Sequence, residues 1–247
     1  MVFACAVALS TVAWLWLWWD GASVSGRSMP QMSGMDMDAL PGQAWSVSYL
    51  ATSFVMWAVM MVAMMLPSAT PMILLHDVFS RKNRLGPAAT LAFSATYLAL
   101  WTGFALVATL IQSALIAAGL VGEATLAIGN AKLAAALLLA VAAFELSPLK
   151  RICLAHCQSP LTFLTRHWRP GIRGAITMGW KHGLFCVGCC AGLMLLLLVG
   201  GVMNLAWIAV LTLIVLAEKY APPAWRADRV LAFVLTLAAI VMATHYR

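Results

Sequence analysis

Charge is scarce in this 247-residue sequence. Lys, Arg, Asp and Glu together make up 9% of it, and only eight residues are acidic. A soluble domain carries about 25% charged residues, so this chain has too little polar surface to face water on every side. Recognisable nucleotide chemistry is missing too. There is no Gly-rich phosphate loop, no dinucleotide fingerprint and no nucleophile elbow, which leaves out an ATP-driven engine. The strict apolar–polar alternation of barrel strands is absent, as is any internal repeat. What remains is apolar residues, 64% of the total, in continuous runs rich in Ala, Leu and Met. Their solvent is a lipid bilayer. The expected fold is all-α, a single polytopic transmembrane helix bundle over residues 1–247, with about seven helices of about 20 residues or, on a shorter count, six.

Residues 1–19 are apolar and end in Trp14, Trp16, Trp18 and Trp19, an interfacial belt. No small-residue cleavage site follows convincingly, so the run reads as a membrane helix and not a signal peptide. Residues 20–48 form a polar loop. A second helix is expected from Tyr49 to about Leu66, where Pro67 and Pro71 would break or kink it. Further helices are expected over 88–118, 130–148, 175–200, from Asn204 to about 217, and over 230–244. The stretch 150–173 reads as a basic connection without an acidic residue. Basic loops at 81–84, 150–173 and 219–229 fall on one side of a seven-helix count. The positive-inside rule makes that side the cytoplasm, with the N-terminus inside and the 20–48 loop outside. The net charge of +7 therefore reports topology and not nucleic-acid binding.

Six cysteines do not imply a disulfide framework here; their grouping matters more. His182, Cys186, Cys189 and Cys190 lie within nine residues. On a helix, Cys186 and Cys189 fall within roughly 40° of His182 around the axis and Cys190 within roughly 80°. Thiolate and imidazole are ligands for Cu(I) and Zn(II). One straight helix cannot complete a site, because His182 and Cys189 stand about 10 Å apart along the axis. Cys186 with Cys189 or Cys190 then needs ligands from a second helix, unless Gly183 and Gly188 let this one distort. The bland alternative is that cysteine packs as a small apolar residue, with Gly188 and Gly192 as a small-residue face.

Met60, Met64 and Met65 on the second helix add thioethers, soft ligands that suit Cu(I), although methionine also fills apolar gaps. Met29, Met32, Met35 and Met37 sit in a polar loop with no core to fill. With Asp36 and Asp38 they read as an outer capture site for metal. Cys153, His156 and Cys157 read as a secondary metal or redox site facing the cytosol, or as a plain helix terminus. Glu145 and Lys132 are costly in lipid and should face the bundle or reach its edge. Asp77 and His76 read as interfacial.

The run from Trp57 through Met60-Met61 and Met64-Met65 to Pro67 and Pro71 resembles the signature of a family of bacterial membrane proteins. That family is a domain of unknown function described as predicted metal-binding integral membrane proteins. His182 to Cys190, Gly201-Val202-Met203-Asn204 and Glu218-Lys219 resemble its second half. The likeness spans roughly residues 45–220; Ala191 stands where an aromatic commonly follows the cysteine pair. It implies membrane location and copper-chaperone-like metal handling.

The function expected is a binding protein rather than an enzyme, in the bacterial inner membrane, that captures, transfers or delivers copper as Cu(I). Zinc is the alternative metal. Its partners would be the bilayer, the ion, and a copper-donating or copper-receiving protein, with no nucleic acid. Two other readings stay open. One is a membrane thiol–disulfide oxidoreductase using Cys186-x-x-Cys189, with Cys153 and Cys157 passing electrons. The other is a scaffold whose sulfur residues only pack.

Overall fold

Two prolines lie inside the longest helix and fail to break it. The computed structural model describes residues 2–26, 43–121, 126–221 and 225–245. Helix α1 covers Val2–Gly26, and α2 covers Val47–Lys82 with Pro67 and Pro71 in its interior. The sequence predicts a break near Leu66; α2 instead continues as one helix of 36 residues. A proline at position i leaves the carbonyl of residue i−4 without its amide donor, here those of Ala63 and Pro67. Both are supplied from other helices. Trp14 Nε1 on α1 donates to Ala63 O at 3.1 Å, with Ser10 Oγ at 3.4 Å, and Tyr220 OH donates to Pro67 O at 3.2 Å. Tertiary donors thus replace the missing ladder bonds, which matters most where no water can. Trp14→Phe, which keeps the ring and loses the donor, should cost about 1 kcal/mol, or about 2–4 °C in a thermal melt in detergent. In a Pro67→Ala background the same change should cost almost nothing. Equal losses in both backgrounds would refute the capping role.

The remaining helices are α3 (Pro87–Ala117), α4 (Ala131–Glu145), α5 (Pro148–Gln158), α6 (Pro160–His167), α7 (Gly171–Leu195), α8 (Leu197–Gly200), α9 (Leu205–Tyr220) and α10 (Ala227–His245). The bundle is all-α, as expected. Its spans differ from the seven expected. Among the described residues, α2, α3, α10 and the α7–α8 stretch Gly171–Gly200 are long and apolar enough to cross a membrane. Counting α4 with α5 makes five. Helix α9 has 16 residues, and Phe3–Trp19 of α1 is a shorter apolar stretch.

The stretch expected as a basic connection over 150–173 is largely helical. The chain bends by 63° between α4 and α5. Pro148 opens α5, and Ser147 caps it by accepting from Lys150 N at 3.1 Å. A Ser N-cap followed by Pro at N1 is a strong start signal, so the fourth span turns here instead of continuing to Cys153. The bend lays α5 against α7 and buries Lys150 and Cys153.

Helix α3 lies between α2 and α7, packing extensively on both; α10 lies along α4, and α1 along α2. Gly179 sets the α3–α7 approach, since a Cβ there would stand 2.5 Å from Phe93 O. The polarity is inside out. Val107, Leu110, Leu213, Phe233 and Leu237 point outward, while Gln112, Glu145, Lys150, His182, Glu218 and Lys219 are buried. The Gln112 amide is fully used: it accepts from Trp57 Nε1 at 2.7 Å and donates to Tyr49 OH at 2.8 Å and Ser53 Oγ at 3.0 Å. A buried polar side chain is tolerated in such a bundle when it is bonded in this way.

Candidate metal centre

Helix α7 runs unbroken from Gly171 to Leu195, so its 100° steps decide which side chains face inward. His182, Cys186, Cys189 and Cys190 are all buried, as their spacing predicts. The 63° bend brings a second helix to them. Cys157 on α5 places its Sγ 3.8 Å from Cys189 Sγ, and Cys190 Sγ lies 3.4 Å from Cys189 Sγ on the other side. Cys186 lies one turn before Cys189 and Cys190 on the same helix. The Cys189 thiol also donates to the Cys186 carbonyl at 3.2 Å. All six cysteines are free thiols.

Three further helices close on Cys186. Lys219 Nζ of α9 donates to Cys186 Sγ at 3.1 Å and to Ser68 Oγ of α2 at 2.8 Å. Tyr97 OH of α3 lies 3.1 Å from Cys186 Sγ and 3.2 Å from Met65 O. Ser68 Oγ donates in turn to Met65 O at 2.8 Å. Lys219 forms no ion pair with a carboxylate among the described residues. An ammonium in a low-dielectric interior needs a counter-charge. Among the described residues the one group it touches that can carry such a charge is the Cys186 sulfur, so Lys219 is placed to balance a thiolate.

The other expected ligands divide. His182 does not join the sulfurs. Its ring stacks on Tyr97 and Phe93, at 5.6 and 6.0 Å between centroids, and meets Phe163 edge-on at 5.5 Å. Its Nδ1 is buried and has no partner. An unbroken α7 keeps it apart from Cys189, and Gly183 and Gly188 serve packing instead of unwinding. A Cβ on Gly188 would stand 2.7 Å from Cys153 Sγ. Cys153 therefore packs over Gly188. His156 is half-buried, bonds Ile152 O within its own helix, and stacks on Phe185 at 4.1 Å. Of the secondary set, only Cys157 faces the cluster.

Met60, Met64 and Met65 are fully buried, and Met65 stands level with Cys186 through Tyr97. Met29, Met32, Met35, Met37, Asp36 and Asp38 lie outside the described residues. His76 is buried against Phe93 and Trp168, and Asp77 pairs with Arg81 at 2.9 Å. Lys132 is exposed.

Lys219, Tyr97 and Ser68 escape a reading by ligand type, because none is a soft ligand. The signals available for Lys219 were its place at the close of an apolar helix and the Glu218-Lys219 pair within the family resemblance. The lysine reads equally as a terminus reaching for the interface.

The donor set suits a soft ion. Two thiolates on one tetrahedral ion, each about 2.3 Å from it, stand about 3.8 Å apart, which is the Cys157–Cys189 separation. The sulfurs are neighbours and not a finished cage: among the described residues no three His, Cys, Asp or Glu side chains already converge as a metal centre. Rotation about the cysteine side chains would have to complete one.

A family model described as PpoB2, copper chaperone, matches residues 54–242. The chain belongs to this copper chaperone family. The match takes in α3 to α9 with most of α2 and α10, and hence every residue of the sulfur cluster. No curated protein and no solved structure matches the chain. Membership of a copper chaperone family makes copper handling the general function, and the soft donor set is compatible with it.

Proposed function

We propose that this protein is a multi-pass protein of the bacterial inner membrane that takes up, passes on or delivers copper as Cu(I). Cys186, Cys189 and Cys190 of α7 and Cys157 of α5 would be the ligands. One observation carries the reading: Cys157, Cys189 and Cys190 form a chain of neighbouring thiols from two helices, one turn from Cys186, whose sulfur is bonded by a buried lysine that pairs with no carboxylate among the described residues. Thiolates prefer Cu(I), and a two-thiolate Cu(I) unit carries one negative charge, which Lys219 cancels. His182, with its unpartnered nitrogen, and Met60, Met64 and Met65 would be neighbouring stations of weaker, neutral ligands. The methionines and aspartates of residues 29–38 would collect the ion on the outer face. The basic segments at 81–84 and 150–173 would face the cytoplasm, and with α1 counted as a further span the N-terminus would lie on that side too. A copper-donating or copper-receiving protein completes the route.

Elemental analysis of anaerobically purified protein tests this. The expected result is about one copper per chain with only sulfur in its nearest shell by X-ray absorption. Zinc in its place would move the site to a structural role. The Cys157–Cys189 proximity favours a second reading, a thiol–disulfide oxidoreductase. That reading gains, and the copper one falls, where no metal is retained and a Cys157–Cys189 disulfide forms and reduces reversibly.

A further inference from the structure

Beyond the sulfurs, on the other side of α9, lies a second buried polar group. Lys150 Nζ donates to both carboxylate oxygens of Glu218 at 2.8 Å and also to Glu145 Oε2. All three side chains are buried, Lys150 and Glu145 completely. Three helices contribute one residue each: α4, α5 and α9. The two carboxyl groups meet at the same ammonium, and Glu145 Oε1 has no donor. Two carboxylates are both acceptors, so they make no bond until a proton stands between them.

Charge arithmetic points the same way. Two carboxylates and one ammonium sum to −1, and an unmatched charge in a low-dielectric interior is strongly disfavoured. Among the described residues no other cation forms an ion pair with either carboxylate. Lys219, next in sequence to Glu218, is turned to Ser68 and Cys186. On α5, Arg151 is exposed, and the Gln158 side chain donates to the Glu218 backbone carbonyl. Arg226 and Arg229 are exposed, and Asp228 at the start of α10 adds negative charge. One added proton makes the three-residue group neutral. Paired carboxylates in contact hold a single shared proton for this reason.

The group also has a route to water. A cavity of about 310 Å³ is lined by Arg151, Gln158, Glu218, Arg226, Asp228 and Arg229, among others. Glu218 lines this polar cavity and meets Lys150 on its inner side. Ionisable side chains buried in a membrane bundle are costly and are associated with ion pathways and proton relays.

We propose that Glu145, Lys150 and Glu218 form a proton-exchange site, which holds one proton between its two carboxyl groups and exchanges it with water through the Arg- and Asp-lined cavity. Loss of the proton to water leaves a carboxylate pair facing one ammonium; its return restores neutrality. Such a site gives the bundle a releasable positive charge. Its use as a counter-ion for an incoming Cu(I) rests on the function proposed above, whereas the site itself is tested on metal-free protein.

The test is infrared difference spectroscopy of purified, metal-free protein over a pH series. Wild type should show the carbonyl stretch of one protonated carboxylic acid at neutral pH. The band should disappear at alkaline pH and shift in D2O. With eight acidic residues in the chain, assignment by substitution is practical. Glu145→Gln and Glu218→Gln should each abolish the band, since one carboxylate and one ammonium are neutral without a proton. Lys150→Met should increase it, because two carboxyls then lack a cation. The Lys150→Met result also keeps the test decisive where a Gln variant purifies poorly. No band in wild type, a band that survives both Gln variants, or one that does not shift in D2O would overturn the proposal.

Discussion

Replacing Lys219 by methionine is expected to weaken Cu(I) binding about a hundredfold while the helices stay in place. The ammonium reaches Cys186 Sγ at 3.1 Å from a fully enclosed position, and no carboxylate pairs with it among the described residues. A Cu(I) ion held by two thiolates leaves one negative charge in the bundle. Without Lys219 that charge has no partner, and breaking a buried pair costs about 3–5 kcal/mol. Part of this is recovered by local relaxation, and about 3 kcal/mol corresponds to two decades in Kd. Methionine fills a similar volume, so packing losses stay small. Ser68→Ala acts on the same link more gently. It removes the 2.8 Å acceptor that aims the ammonium, and should cost about 1 kcal/mol, several-fold in Kd. Competition against a chromophoric Cu(I) chelator under anaerobic conditions reads both. Wild-type affinity in Lys219→Met would mean that the lysine balances no thiolate.

The parts of the fold that repeat along the chain were legible in the sequence. Long apolar runs fixed the positions of α3, α7 and α10 within a few residues, and the start but not the end of α2. The inward face of α7 followed from helical spacing alone, and His182, Cys186, Cys189 and Cys190 are buried as that spacing requires. What could not be read depends on contacts between distant segments. Pro67 and Pro71 obey a local rule that predicts a break. The break is avoided because Trp14, about fifty residues earlier, and Tyr220, about a hundred and fifty later, bond the freed carbonyls. The bend at Ser147-Pro148 was written in the sequence as a cap and a proline. Its consequence, that Cys157 and not Cys153 meets Cys189, depends on where α5 comes to rest. Lys150 and Glu218 likewise look like two ordinary helix-end charges until the fold buries them together with Glu145. Choosing residues by ligand softness pointed to Cys186, Cys189, Cys190 and Cys157, which lie close together, but not to the lysine, tyrosine and serine beside them.

Converting Cys186, Cys189 and Cys190 together to serine is expected to reduce bound copper to background, whereas Cys153→Ser should leave it unchanged. The contrast follows from position. Both sets are buried thiols a few residues from a helix turn, yet Cys153 Sγ is packed over Gly188, while the α7 thiols touch one another, Cys157 and Lys219. Serine keeps the size and loses the soft anion that Cu(I) prefers, so the expected loss is one of ligation and not of packing. Inside the bundle the triple variant keeps one thiol, Cys157, beside the neutral Met60, Met64, Met65 and His182, and a single sulfur is too little to replace the paired thiolates. Cys157→Ser should fall between the two, because it removes a single sulfur 3.8 Å from Cys189 and leaves the Cys186–Lys219 pair intact. Unchanged helix content by circular dichroism would separate these losses from unfolding. Copper retained by the triple variant at the wild-type level would move the site from the thiols to the methionines of α2, and the thiols would then be packing residues.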